Sequence, residues 1–178
     1  MRRRVILEAM ARSRRSAQEK VLELDRLVER LRRLRASGEQ IVFTNGCFDL
    51  LHTGHLHLVE SAAAFGDCLV CGINDDRSVR ELKGPTRPVV PFVERARLLA
   101  GLEAVDFVVG FGDPTPLKLI EAIRPDVLIK GSDWPRDQIV GRDVVEAHGG
   151  RVEQVRLLPG RSTTNLLDRL RSSPEKPR

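Results

Sequence analysis

The 178-residue sequence has little sulfur and few large aromatic side chains: three cysteines, one tryptophan and no tyrosine. Three is an odd number, which argues against a disulfide framework. The pair Cys68-Leu-Val-Cys71 has no second ligand pair at the spacing a structural zinc site needs. Both thiols fall in an apolar, strand-like run, where an odd offset points them to opposite faces and suits buried structural cysteines. No stretch approaches the ~18 apolar residues that cross a bilayer. Val5 to Met10 is too short for a secretory signal and is interrupted by Glu8. A cytoplasmic protein without membrane attachment is therefore expected. The G-x-G-x-x-G fingerprint is missing too, which speaks against a dinucleotide cofactor.

A basic domain face is also lacking. The formal charge is +5, yet residues 1–16 hold six Arg and one Glu, so the rest of the chain is close to neutral. Such an arm suits nucleic acid or an anionic surface, and suits a flexible extension equally well. The charge stops near residue 16, and Glu19, Glu23, Asp25 and Glu29 follow, which makes a nucleic-acid-binding module the weaker reading.

What remains is ordinary for a globular domain: 41% apolar and 31% charged residues. The expected organisation is a basic arm (1–16), an amphipathic helix (17–38), one catalytic-sized domain (39–171) and a short tail (172–178). In the helix, Leu22, Leu24, Leu27, Val28, Leu31 and Leu34 recur at helical spacing up to Gly38. It packs on the main domain or on a second subunit, and a homodimer is expected.

From residue 40, apolar runs alternate with helical patterns. The expected strands are 41–44, 68–74, 107–110, 127–130 and 152–157. The expected helices are 55–65, 93–102, 116–124, 141–148 and 163–171. This alternation predicts an α/β fold, a Rossmann-like, doubly wound, five-stranded parallel sheet with helices on both faces. Such sheets bind ligands beyond the carboxyl ends of their strands.

One stretch organises the rest: Val42-Phe43-Thr44-Asn45-Gly46-Cys47-Phe48-Asp49-Leu50-Leu51-His52-Thr53-Gly54-His55. A strand passes through an Asn-Gly turn into a helix start, where unpaired N–H groups and the helix dipole favour a phosphate. His52 and His55 are three residues apart and share a face on a first helical turn. Gly54 between them lets a ligand approach the backbone. An imidazole donates to phosphate oxygens and can carry charge near neutral pH.

Other strand ends add to this. Lys83 and Arg87, in Leu82-Lys83-Gly84-Pro85-Thr86-Arg87-Pro88, are cations suited to phosphates, and Arg95 on the following helix is placed to face the site. Lys130 and Gly131 follow an apolar strand. Trp134 suits stacking on a base or sugar, and suits packing under a loop equally well. Ser162-Thr163-Thr164 opens a second helix beside Arg161 and offers another polyphosphate wall.

Taken with these residues, the stretch Thr44 to His55 resembles the HxGH signature of the cytidylyltransferase-like nucleotidylyltransferase superfamily. The Ser-Thr-Thr run resembles that superfamily's second signature. Together with Leu82-Lys83-Gly84, Arg87-Pro88-Val89, Leu102 to Asp106 and Ile129 to Asp133, the pattern over residues 18–171 is similar to the adenylyltransferase half of the ADP-heptose synthase family.

The resemblance implies transfer of AMP from ATP to a sugar 1-phosphate, with D-glycero-D-manno-heptose 1-phosphate the expected acceptor and pyrophosphate released. It implies His52, His55 and Lys83 as catalytic residues. Nucleotide contacts would come from Thr44, Asn45, Gly46, Phe48, Gly54, Lys130, Gly131, Ser162, Thr163 and Thr164, and acceptor contacts from Asp49, Arg87 and Lys130. No protein metal cage is implied; Mg²⁺ is expected to arrive with ATP. A separate sugar kinase would supply the acceptor. The rival readings are a cytidylyltransferase acting on glycerol 3-phosphate or a similar alcohol phosphate, and a non-catalytic nucleotide-binding regulator.

Overall fold

The computed structural model describes residues 15–172. The basic arm lies outside the described residues except for Arg15 and Ser16, and so does the tail beyond residue 172.

Five strands form one all-parallel sheet in the order β3-β2-β1-β4-β5: β1 (Ile41–Gly46), β2 (Cys68–Asn74), β3 (Phe107–Phe111), β4 (Val127–Gly131) and β5 (Arg151–Val155). They carry the apolar runs read from the sequence. The inner strands show why such runs are nearly continuous: all seven residues of β2 and the first four of β1 are buried, as a parallel sheet covered on both faces requires. β5 begins and ends earlier than expected, because Arg151 to Val155 is the stretch in register with β4.

The helices are α1 (Ala17–Lys20), α2 (Leu24–Ala36), α3 (Thr53–Ala63), α4 (Asp76–Lys83), α5 (Phe92–Ala100), α6 (Leu117–Ile123), α7 (Arg142–Ala147) and α8 (Thr163–Ser172). Two apolar layers sandwich the sheet. One joins Leu27 and Leu31 of α2 to Phe43, Val70, Leu119, Ile120 and Val145. The other joins Val59 and Ala62 of α3 to Val42, Ile73, Leu99 and Ile129. Cys68 lies in the first layer and Cys71 in the second, so the two thiols do face opposite ways.

Two helices depart from expectation. Residues 17–36 are not one helix. The chain leaves helical geometry at Val21, which forms a parallel bridge to Val108, while the Leu22 N–H donates to the Val108 carbonyl at 2.9 Å. A β-branched residue beside an unpaired strand gains more from the edge of β3 than from another helical turn. Lys20 anchors the strap by donating to the Val105 carbonyl at 2.7 Å, and the Arg15 guanidinium lies 4.9 Å over the Phe107 ring. The apolar face of α2 is spent inside this chain, since Leu27 and Leu31 are fully buried.

The second departure is α4, which lies where the sequence predicts no helix. Its start is capped by Asp75, which accepts the Ser78 N–H at 2.7 Å.

β1 is central, and the strand order reverses between β1 and β4. The carboxyl ends of these two strands therefore flank the switch point where α/β sheets form ligand crevices.

Candidate active site

A cleft of about 560 Å³ opens at that switch point. Every catalytic, nucleotide and acceptor residue that the resemblance implies lines it, from Thr44 on β1 to Thr164 on α8. His52 and His55 thus share one cavity with Ser162, Thr163 and Thr164, although more than 100 residues of sequence separate them.

The histidine wall is tightly built. The two imidazoles stack with centroids 3.9 Å apart and an interplanar angle of 19°. Phe48 tilts against His55 at 5.2 Å and adopts φ +45°, a left-handed conformation that a non-glycine residue rarely takes. His52 is the N-cap of α3, and its Nδ1 accepts the Gly54 N–H at 3.1 Å. That bond assigns the proton of the neutral ring to Nε2, which is then the nitrogen able to donate to an anion.

Two expectations change here. The helix start was read as a source of free N–H groups. The Gly54 N–H is taken by His52 Nδ1, and the His55 N–H donates to the His52 carbonyl at 2.9 Å. The rings, rather than these amides, remain for a ligand. Nor does His55 carry charge near neutral pH, and His52 is shifted the same way. Burial and the neighbouring His52 bring His55 down to about 4, while burial and Arg161 lower His52. Gly54 is small for a second reason: a Cβ there would lie 2.9 Å from the His52 ring and 3.1 Å from Arg161 Cβ. The missing side chain lets the start of α8 close on α3.

Two buried polar atoms in this wall, Thr44 Oγ1 and His55 Nδ1, have no hydrogen-bond partner among the described residues. Unsatisfied buried polar atoms are costly. Both sit on residues that line the cleft.

At the end of β4, Lys130 donates through Nζ to Asn45 Oδ1 across the switch point. Burial lowers this lysine to about 8, with Asp133 opposing the shift. Across the cleft, Asp49 is buried and accepts from the Val89 and Val90 N–H groups at 2.8 and 3.0 Å, and from Arg87 Nε. Lys83 ends α4 at the cleft rim. Arg95, expected to face the site, is instead fully buried and does not line the cleft. It bonds the Val90 and Cys47 carbonyls at 2.8 and 2.6 Å and Asp76 at 2.7 Å.

The α8 wall is looser. Ser162 Oγ accepts the Asn165 N–H at 3.1 Å, and Thr163 Oγ1 donates to the Leu50 carbonyl at 3.4 Å. Arg161 was passed over as a site residue, although it lines the cleft and acts on His52. Its place beside the Ser-Thr-Thr run was the available signal. Cys47, Asn74 and Thr115 also line the cleft with no sequence signal of their own. Trp134 is half exposed at the rim and is held by Gln154, which donates to its carbonyl at 2.6 Å. Among the described residues, no group of three His, Cys, Asp or Glu is placed to hold a metal ion, and no helix is long and apolar enough to cross a membrane.

Comparison with known proteins gives this geometry a setting. A family model described as cytidylyltransferase-like matches residues 43–170. The bifunctional protein HldE of Methylobacillus flagellatus is 52% identical over 168 residues, 93% of this chain and 34% of that protein. The HldE of Geobacter sulfurreducens is 52% identical over 151 residues, 85% of this chain and 31% of that protein. The chain thus spans about a third of the length of the curated relatives it matches. Among solved structures, the lipopolysaccharide core biosynthesis protein of Thermoplasma volcanium is similar, with a TM-score of 0.56 and 27% identity, covering 68% of this chain and 98% of that one.

Proposed function

Because the chain belongs to the cytidylyltransferase-like family, we propose that its cleft transfers AMP from ATP to a sugar 1-phosphate, with D-glycero-D-manno-heptose 1-phosphate the acceptor. The observation that carries this reading is the shared cavity: a stacked imidazole pair on one wall, a hydroxyl-rich helix start on the other. The heptose acceptor is supported by the motifs quoted above and by about 50% identity to proteins named HldE.

In the proposed reaction, an acceptor phosphate oxygen attacks the α-phosphorus in line. A new P–O bond forms, the α–β bridging P–O bond breaks, and pyrophosphate leaves with that electron pair. No covalent enzyme intermediate is needed, so positioning and charge stabilisation carry the catalysis. His52 donates through Nε2 to phosphate oxygens, and His55 stands behind it with an unpaired Nδ1. His55 acts as a neutral hydrogen-bond donor, in keeping with its pKa of about 4, and His52 is shifted in the same direction. Ser162, Thr163 and Thr164 hold the β- and γ-phosphates. Thr44, Asn45, Gly46, Phe48, Gly54 and Gly131 shape the nucleotide site. Lys83 spans nucleotide and acceptor, while Arg87 and Lys130 serve the acceptor phosphate.

Mg²⁺ fits this site as a companion of ATP. The Asp49 carboxylate is already engaged by Arg87 and two backbone N–H groups, which suits an ion held by phosphate oxygens and water. When bound, Mg²⁺ supplies charge neutralisation on the triphosphate. A kinase acting on the sugar is the reaction class that supplies the acceptor.

The test is pyrophosphate release over a matrix of ATP and CTP against heptose 1-phosphate and glycerol 3-phosphate. Turnover with ATP and heptose 1-phosphate is expected. Turnover confined to CTP and glycerol 3-phosphate would replace this reading with the cytidylyltransferase one. ATP binding without turnover on any acceptor would leave a nucleotide-binding regulator.

A further inference from the structure

Two segments remote in sequence meet at Asp49. Its carboxylate is 1% exposed, and its bonds divide cleanly between its two oxygens. Oδ1 accepts both backbone N–H groups of Val89 and Val90, and Oδ2 accepts Arg87 Nε. The terminal nitrogens of Arg87 make no hydrogen bond to the described residues, and Arg87 lines the cleft. A guanidinium held through Nε keeps both terminal nitrogens available as a fork for an anion. A second fastener lies beneath. Buried Arg95 bonds the carbonyls of Val90 and Cys47 together with the Asp76 carboxylate at the start of α4. The 84–90 loop is therefore locked at two points to the turn after β1, the same turn that leads into His52.

We propose that Asp49 is a positioning residue that makes no contact with either reactant. It aims Arg87 at the acceptor phosphate and sets that cation at a fixed distance from the imidazole pair. The inference rests on the adenylyltransferase reading and revises the expectation that Asp49 touches the acceptor. A carboxylate already accepting three donors and closed to solvent has little left to offer a sugar hydroxyl, and a negative charge would repel the acceptor phosphate.

Asp49→Asn is a selective probe. The amide oxygen can still accept from Val89 and Val90, whereas the amide NH₂ meets the Arg87 Nε–H donor to donor. The loop stays fastened while Arg87 is released. Steady-state kinetics on the wild type, Asp49→Asn, Arg87→Ala and the double variant should show the acceptor KM raised about tenfold or more in each variant, the worth of one charge-assisted hydrogen bond. The ATP KM should stay within about twofold. The double variant should be no worse than Arg87→Ala, since both changes remove one interaction. An ATP KM that rises as much as the acceptor KM, or a full extra loss in the double variant, overturns the proposal. Calorimetric titration of inorganic phosphate into the ATP-loaded protein separates it from the parent reading. If no acceptor turns over in the wild type, the transferase assignment falls, and weaker phosphate binding by Asp49→Asn still supports the clamp. Equal phosphate binding by wild type and Asp49→Asn removes the clamp whatever the kinetics.

Discussion

The two walls of the cleft are built by opposite means. The wall after β1 is finished in advance: stacked rings, a left-handed Phe48, a buried carboxylate with three donors, and a capped helix start. The α8 wall is half open. Its hydroxyls make long or local bonds, and Leu170 on the same helix is 70% exposed. Charge moves most on the α- and β-phosphates during the proposed reaction, and rigid donors are worth most there. A looser wall suits the outer phosphates, which must enter and leave.

That contrast can be broken by mutation. His55→Ala should lower kcat by about a hundredfold or more, the usual worth of an oriented transition-state donor. A near-normal kcat from a rapid-quench assay would show that the rigid wall has no catalytic role. Ser162→Ala combined with Thr163→Ala should act mainly on ATP binding, raising its KM about tenfold with a smaller change in kcat. If kcat falls as far as it does in His55→Ala, the division between the walls is wrong.

Acidity sharpens the contrast further. His55 is neutral at pH 7, so it should add no inflection near 6.5 to the kcat/KM profile. Lys130 is charged below about 8 and loses its proton as pH rises through that value, so activity should decline on the alkaline side there. Lys130→Met should flatten that limb. The folding linkage has its own sign. His55 titrates at about 4 when folded against an ordinary 6.5, so the unfolded chain binds more protons between those values. Stability should therefore rise with pH across that window, as urea midpoints would show, and His55→Phe should blunt the rise. The smallest effect is expected outside both walls: removing residues 1–14 should leave turnover within about twofold, a change well under 1 kcal/mol. Lost activity would bring the arginine-rich arm into the site.

Much of this arrangement was legible before the structure. Continuous β-branched runs such as Ile41 to Thr44 announce strands buried on both faces, and the spacing of His52 and His55 announces a shared ligand face. What stayed hidden depends on partners far away in sequence. Arg95 looked like a cleft cation because nothing local shows that the carbonyls of Cys47 and Val90 await it. Asp49 and Arg87 were read as separate acceptor contacts, and only tertiary packing reveals that they hold each other. The helix α4 was missed because Val79 is its one buried apolar residue, too sparse a pattern to stand out from a polar loop. The break at Val21 was invisible for the opposite reason. The local pattern favoured helix, and an edge strand outbid it.

The strap over β3 also bears on how the molecule behaves in a crowd. By pairing with Val108, residues 21–22 blunt one rim of the sheet. The opposite rim, β5, carries Arg151 and Glu153, which discourage a foreign chain from docking. Without the strap the outer edge of β3 would lose these partners, and an unpaired edge is the kind that recruits another strand, so a few residues with no part in the chemistry serve to close the sheet.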